Sequence, residues 1–234
     1  MRYFCSICLL LLVVLGCSKS ENRMLLTGEV KGLKKGTLVL QKFEDTLLIS
    51  VDSVEIDGDP VFQLESEIDS PEMYYLYLRL KNGTLLDERI PFFAEPGEID
   101  IQTSLKRFGN DVRVSGSTNQ EKLREYKALM DRYSNKHLEL IEQAFEARQN
   151  KQDSLAGALT DRQNRVLAGK YLATVNFALN HKEYELAPYL MLSEVYDANI
   201  KYLDTVYSAL GPEIKNSKYG RELANYIEAR KKSE

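Results

Sequence analysis

The sequence has no tryptophan, only two histidines and six prolines, and just three cysteines in 234 residues. The cysteines are Cys5, Cys8 and Cys17, so all lie at the extreme N-terminus. Cys5 and Cys8 spell a C-x-x-C, but they sit inside an apolar leader and are expected to leave with it. Thiol–disulfide chemistry and a cysteine nucleophile are thereby excluded from the expected mature chain. A metal centre draws three or four convergent ligands from His, Cys, Asp and Glu. With His137 and His181 in separate segments and no cysteine to join them, no metal site and no cofactor are expected. The sequence contains no H-E-x-x-H, no G-x-S-x-G and no P-loop, and no EF-hand calcium loop. An excess of basic charge is lacking too: 31 Lys and Arg stand against 35 Asp and Glu, for a net charge of -4. A nucleic-acid partner is therefore not expected. What remains, 44% hydrophobic and 28% charged, is the composition of an ordinary globular chain of one or two domains.

The N-terminus carries the clearest address. Arg2 precedes an apolar run from Tyr3 to Leu15, then Gly16 and Cys17. This is the build of a secretory signal peptide. The run falls short of the ~20 apolar residues that span a bilayer. Val14-Leu15-Gly16-Cys17 resembles a bacterial lipobox, which implies cleavage before Cys17 and acylation of that residue. Each buried CH₂ of an acyl chain contributes about 0.8 kcal/mol, so two or more chains hold firmly. The expected organisation is a signal peptide over 1–16, then a lipidated Cys17 and polar tether over 17–24. The expected location is the cell envelope, with the membrane as a partner through the lipid. Ser18-Lys19-Ser20-Glu21 is only mildly acidic, which favours the periplasm-facing side of an outer membrane.

Residues 25–116 read as a β-rich domain. Short alternating runs recur between turn signals, among them Asp57-Gly58-Asp59-Pro60 and Asn82-Gly83. Seven or eight such strands at this spacing predict an antiparallel β-sandwich or barrel. Residues 117–234 read as an α-helical domain. Thr118-Asn119-Gln120-Glu121 offers a capping box with Thr118 as the cap. Leu123, Tyr126, Met130, Tyr133, His137, Leu140 and Ala144 follow at spacings of three and four, and so share one helical face. A second helix is predicted over Asp153–Asn180, and shorter ones over Ala187–Asp197, Asn199–Leu210 and Ser217–Lys231. Strands first and helices after give an α+β fold class.

Few side chains suggest chemistry. Asp57 and Asp59 flank a turn glycine, and Glu65 and Glu67 share a strand face. A glycosidase needs two carboxylates opposed across a cleft, and neither spacing demands that. His137 lies on the apolar helix stripe, as a half-buried core residue would. His181 falls at a helix end, where it can reach the last carbonyls. The most informative segment is Met73-Tyr74-Tyr75-Leu76-Tyr77-Leu78-Arg79-Leu80. Alternation puts Tyr74, Leu76, Leu78 and Leu80 on one face, and Tyr75, Tyr77 and Arg79 on the other. The second set is either a binding surface, since Tyr and Arg favour interfaces, or a second buried face under the helices. The latter is the more ordinary arrangement.

Several segments in order carry a family resemblance. They are Leu26-Thr27-Gly28-Glu29-Val30, Val51 to Gly58 leading into Val61-Phe62-Gln63-Leu64, and Ser70-Pro71-Glu72-Met73-Tyr74. Phe92-Phe93-Ala94-Glu95-Pro96-Gly97-Glu98-Ile99, Val114 to Asn119, and Lys218-Tyr219-Gly220-Arg221-Glu222-Leu223 complete the set. Together they resemble the uncharacterised N-terminal β-rich domain and helical region of Bacteroidetes lipoproteins that continue into a thioredoxin-like domain. The C-x-x-C domain of those proteins is expected to be missing here, so their redox activity does not carry over. The resemblance implies an envelope location and an accessory, non-catalytic role, with a separately encoded thioredoxin-like protein as partner. The alternative is a glycan- or small-molecule-binding lipoprotein using Tyr75, Tyr77 and Arg79 as its platform.

Overall fold

A computed structural model describes residues 22–233. Eight strands come first: β1 (Arg23–Lys31), β2 (Lys35–Glu44), β3 (Leu47–Asp57), β4 (Val61–Glu67), β5 (Glu72–Leu80), β6 (Leu85–Ala94), β7 (Gly97–Ser104) and β8 (Arg113–Ser115). Six helices follow: α1 (Thr118–Gln149), α2 (Asp153–Asn180), α3 (Leu186–Ser193), α4 (Ile200–Ala209), α5 (Pro212–Asn216) and α6 (Lys218–Ser233). The predicted α+β class holds.

The strands form two four-stranded sheets, ordered β4-β1-β7-β8 and β3-β2-β5-β6. They face each other as a sandwich and do not close into a barrel. Period-two burial along β1 turns Met24, Leu26 and Val30 inward. They meet Leu38, Leu40, Tyr74, Leu76 and Phe92 of the facing sheet in one core. One pair departs from the antiparallel expectation, since β1 runs parallel to β7. The strands between them in sequence provide the long crossover that parallel neighbours need.

Gly28 fits this core by being small. It pairs with Phe62 of β4 and Ile101 of β7. A Cβ at this position would stand 2.1 Å from the Ile101 carbonyl oxygen and 2.8 Å from the Phe62 ring. The ring therefore lies over bare backbone, as aromatics do across from strand glycines.

In the helical half, α1 and α2 make an antiparallel hairpin. The predicted stripe is found: Leu123, Tyr126, Met130, Leu140 and Ala144 are buried, with Tyr133 and His137 half-buried. The predicted cap is displaced by one residue. Ser117, not Thr118, is the N-cap, and its side chain accepts from the Gln120 amide at 3.1 Å. The helix after Leu186 ends at Ser193, short of the expected Asp197. The remaining helices close a second core through Val175, Met191, Leu203, Val206 and Leu223. A third cluster joins the halves: Met73 of β5 and Phe93 of β6 pack with Leu123, Tyr126, Met130, Leu186, Leu190 and Tyr219. The expected boundary at 116/117 thus separates strands from helices, but a shared core crosses it.

Gly28→Ala should lower stability by about 2–3 kcal/mol, the cost of forcing a methyl group into a filled site. Urea unfolding followed by circular dichroism measures it. An unchanged midpoint would mean that the sheet has slack at this crossing.

Candidate functional site

The sequence-predicted residues come first. Cys17 lies outside the described residues. Tyr75, Tyr77 and Arg79 share one face of β5 as alternation required, but they do not form an exposed platform. Tyr77 is only 7% exposed, and its hydroxyl accepts from Arg89 Nη1 at 3.1 Å. Arg89 also stands 4.9 Å over the Tyr75 ring. The Tyr75 ring meets Phe43 edge-on at 5.5 Å and packs against the sheet–helix cluster. Arg79 alone is exposed. His137 is half-buried in the hairpin, and His181 ends α2 with Nδ1 2.9 Å from the Phe177 carbonyl oxygen. Asp57 pairs with Lys35 at 2.9 Å, and Asp59 accepts from the Val61 amide. Among the described residues, no three His, Cys, Asp or Glu side chains stand close enough to hold a metal ion.

The residues that carry most of the polar structure lie instead at the seam between sheet and helices. Glu72, at the start of β5, is 5% exposed. Lys42 Nζ of β2 reaches one of its oxygens at 3.1 Å, and Lys218 of α6 binds the other. Burial disfavours the charged Lys42 ammonium, yet the hydrogen bond and attraction from Glu72 outweigh that and raise its pKa. Lys218 also donates through Nζ to the Phe43 carbonyl at 2.7 Å and through its amide to Ser70 Oγ at 3.1 Å. One residue on, the Tyr219 phenol oxygen accepts from the buried Met73 amide at 2.9 Å. Burial drives the Tyr219 pKa far above its ordinary value, so this phenol stays neutral and available as an acceptor.

A second seam lies one strand over. Glu95, between β6 and β7, accepts from the Thr118 and Asn119 amides, the first of α1. It supplies from outside the helix the carboxylate that a capping box would supply from within. Asn119 is 3% exposed. Its Nδ2 donates to Glu95 at 3.1 Å and to Glu185 at 3.0 Å, and its Oδ1 accepts from the Leu186 amide at 2.9 Å. Gln120 Oε1 accepts from the Phe93 amide at 2.9 Å. One amide side chain therefore fixes two carboxylates and the start of α3. Burial raises the Glu185 pKa, and the charge of Glu95 adds to the shift.

Several of the segments that carry the family resemblance turn out to be partners of one another. Ser70-Pro71-Glu72-Met73 binds Lys218-Tyr219, and Phe93-Ala94-Glu95 binds Ser117-Thr118-Asn119-Gln120. Sequence reasoning passed over Glu72, Glu95 and Asn119 as site residues. The available signal was the presence of charged and amide side chains beside strand residues that are otherwise apolar.

Two substitutions test the seams. Tyr219→Phe leaves the buried Met73 amide without an acceptor and should cost about 1–3 kcal/mol. Hydrogen exchange at Met73 should quicken with it. Glu185→Gln tests the other seam through pH. With its folded pKa raised above the ordinary 4.5, Glu185 holds its proton more tightly in the folded chain. Its contribution to stability is therefore fullest in acid and is lost as pH rises through the raised value. Calorimetry should show the glutamine variant melting about 2 °C higher at pH 7 and no higher at pH 4. A lower melting temperature at pH 7 would mean that the ionised carboxylate itself supports the seam.

Comparison with known proteins adds a domain match. A solved structure titled pT26-6p aligns over 83% of this chain and 42% of its own length, at 12% identity and a TM-score of 0.23. At that level it bears on neither fold nor function. No curated protein matches the sequence. Residues 24–123 match the family model described as a domain of unknown function, DUF4369; the match takes in the whole sandwich and the capped first turns of α1.

Proposed function

We propose that this chain is a non-catalytic accessory lipoprotein of the cell envelope, tethered through Cys17 and engaging a protein partner through the far half of the α1–α2 hairpin. The observation that carries this reading is an uncovered apolar stripe. Leu138, Ile141 and Phe145 recur at spacings of three and four on α1 and are 56%, 43% and 59% exposed. Leu138 and Ile141 line a groove of about 260 Å³ with Val166 and Leu167, above Tyr133 and His137. Large apolar side chains grouped around a groove are the usual mark of an interaction surface. Beneath them the hairpin core is thin, consisting of Leu140, Ala144, Ala147, Ala156 and Leu159 with Val166.

The tether supports the envelope part of the reading. β1 begins at Arg23, leaving only Ser18 to Asn22 between the folded body and Cys17. Among the described residues, no helix is long and apolar enough to cross a membrane, so membrane attachment in this proposal rests on the lipid. The family-like segments favour a thioredoxin-like protein as the partner. The glycan-platform alternative loses support from the burial of Tyr77.

The test is co-purification of the full chain, tagged at its C-terminus, from its own cells, with quantitative mass spectrometry. A thioredoxin-like envelope protein should be enriched with the wild type and reduced at least about tenfold with Leu138→Asp/Phe145→Asp, a loss expected when anchors at an interface are replaced by charges. Cys17→Ala should move the chain from the membrane to the soluble fraction. A partner set unchanged by the double substitution would overturn the assignment to this face.

A further inference from the structure

A second surface has a different chemistry. The outer face of the sheet turns Glu29 and Lys31 of β1, Gln102 and Ser104 of β7 and Arg113 of β8 away from the sandwich core. In register, Glu29 pairs with Gln102 and Gln102 with Arg113, while Lys31 pairs with Ser104. Helix α1 leaves Ser117 beside β8 and sets Gln120, Arg124 and Lys127 along the flank of that face. Sheet and helix together wall a cleft of about 860 Å³, within the size range of small-molecule sites.

Its charge runs against that of the chain. The protein as a whole is acidic, at -4, yet Lys31, Arg113, Arg124 and Lys127 all line this one cleft. No ion pair to any of these four is found among the described residues. Of the two lining carboxylates, Asp111 is engaged by Arg107 at 3.4 Å, which leaves Glu29. Polar groups supply the rest of the wall. Thr103 Oγ1 is committed to the Asp111 carbonyl, and Gln120 has its oxygen occupied by Phe93, which leaves its amide hydrogens to donate. Gln102 Nε2 is taken by both oxygens of Asp100 at 3.0 Å, which leaves its oxygen as an acceptor, so the donors of the cleft are chiefly its four cations and the Gln120 amide.

We propose that this cleft binds a soluble polyanion, a small molecule bearing two or more phosphate or sulfate groups, through Lys31, Arg113, Arg124 and Lys127. Two arginines favour multivalent oxyanions, because guanidinium donates in a planar fork that matches their oxygens. Four cations against one unengaged carboxylate call for more than one negative charge. Position separates a soluble ligand from a lipid headgroup. Lys31 ends β1 and Arg23 begins it, so the cleft opens roughly 26 Å along the strand from the tether, at ~3.3 Å per residue.

Isothermal titration of the full chain in a nonionic detergent, at about 150 mM salt, tests this. The probes are inositol hexakisphosphate and sucrose octasulfate, with phosphatidylglycerol vesicles as the lipid arm. The expected result is saturable one-to-one binding of a soluble probe with a Kd of about 100 µM or tighter. Binding should weaken at least about tenfold in Arg113→Gln/Arg124→Gln and stay unchanged in Lys136→Gln, an exposed α1 cation outside the cleft that pairs with Glu139. The substituted positions are all exposed, so unaltered melting temperatures serve as the folding check. The proposal fails if neither soluble probe saturates, if the double variant binds as the wild type does, or if only vesicles bind.

Discussion

A carboxylate taken out of water has to be compensated, and Glu72 is the place where this chain meets that demand. Its two ammonium partners come from different layers: Lys42 belongs to the sheet, and Lys218 opens the last helix. Removing one partner of such a buried group costs far more than the pair contributes over an apolar replacement. The arrangement therefore says less about raw stability than about geometry. It specifies where α6 begins relative to β5, and the Tyr219 phenol on the Met73 amide sets the rotation of the same turn. Through α6, the core of Val175, Met191, Leu203 and Leu223 is placed against the sandwich.

The Asn119 seam performs the complementary task at the beginning of the helical half. The first amides of a helix have no partner within it. Here they point at Glu95, a residue of the turn that carries the chain from one sheet to the other. The end of the sandwich and the start of the hairpin are consequently one joint. This gives a physical reason for the domain match to run on to residue 123: the first turns of α1 complete the sandwich's own hydrogen bonding.

Much of the architecture was legible in the sequence because it rests on periodicity. Alternation along Met73–Leu80 sorted the two faces of β5 correctly, and the three-four spacing from Leu123 to Ala144 identified the buried face of α1. The helix predicted over Asp153–Asn180, carrying Leu155, Leu159, Val166, Leu172, Val175 and Leu179, is α2. What could not be read depends on residues distant in sequence. Ser117, not Thr118, is the cap, and the Thr118 and Asn119 amides go to Glu95, over twenty residues upstream. The parallel β1–β7 pairing follows from a crossover that no local pattern encodes. Tyr77 looks like an interface residue in its own strand, but it is buried in the fold, with Arg89 of β6 donating to its hydroxyl. The basic cleft was invisible for the same reason, since Lys31, Arg113 and Arg124 are scattered singly and each reads as a solvated charge.

The hairpin has a mechanical consequence. Its base, up to Tyr133, is clasped by the sheet and the short helices, whereas from there to Gln149 the buried side chains of α1, Leu140, Ala144 and Ala147, cluster with those of α2. That stretch is roughly 24 Å of helix at ~1.5 Å per residue, carried like a boom from a fixed pivot. A tilt of about 5° at the pivot would swing its end by about 2 Å, the scale on which packed elements shift when they switch state. A load seated near the end would press on that pivot with the full leverage of the arm. Strain applied there would arrive at Asn119, where the boom, the sandwich and α3 share a single amide.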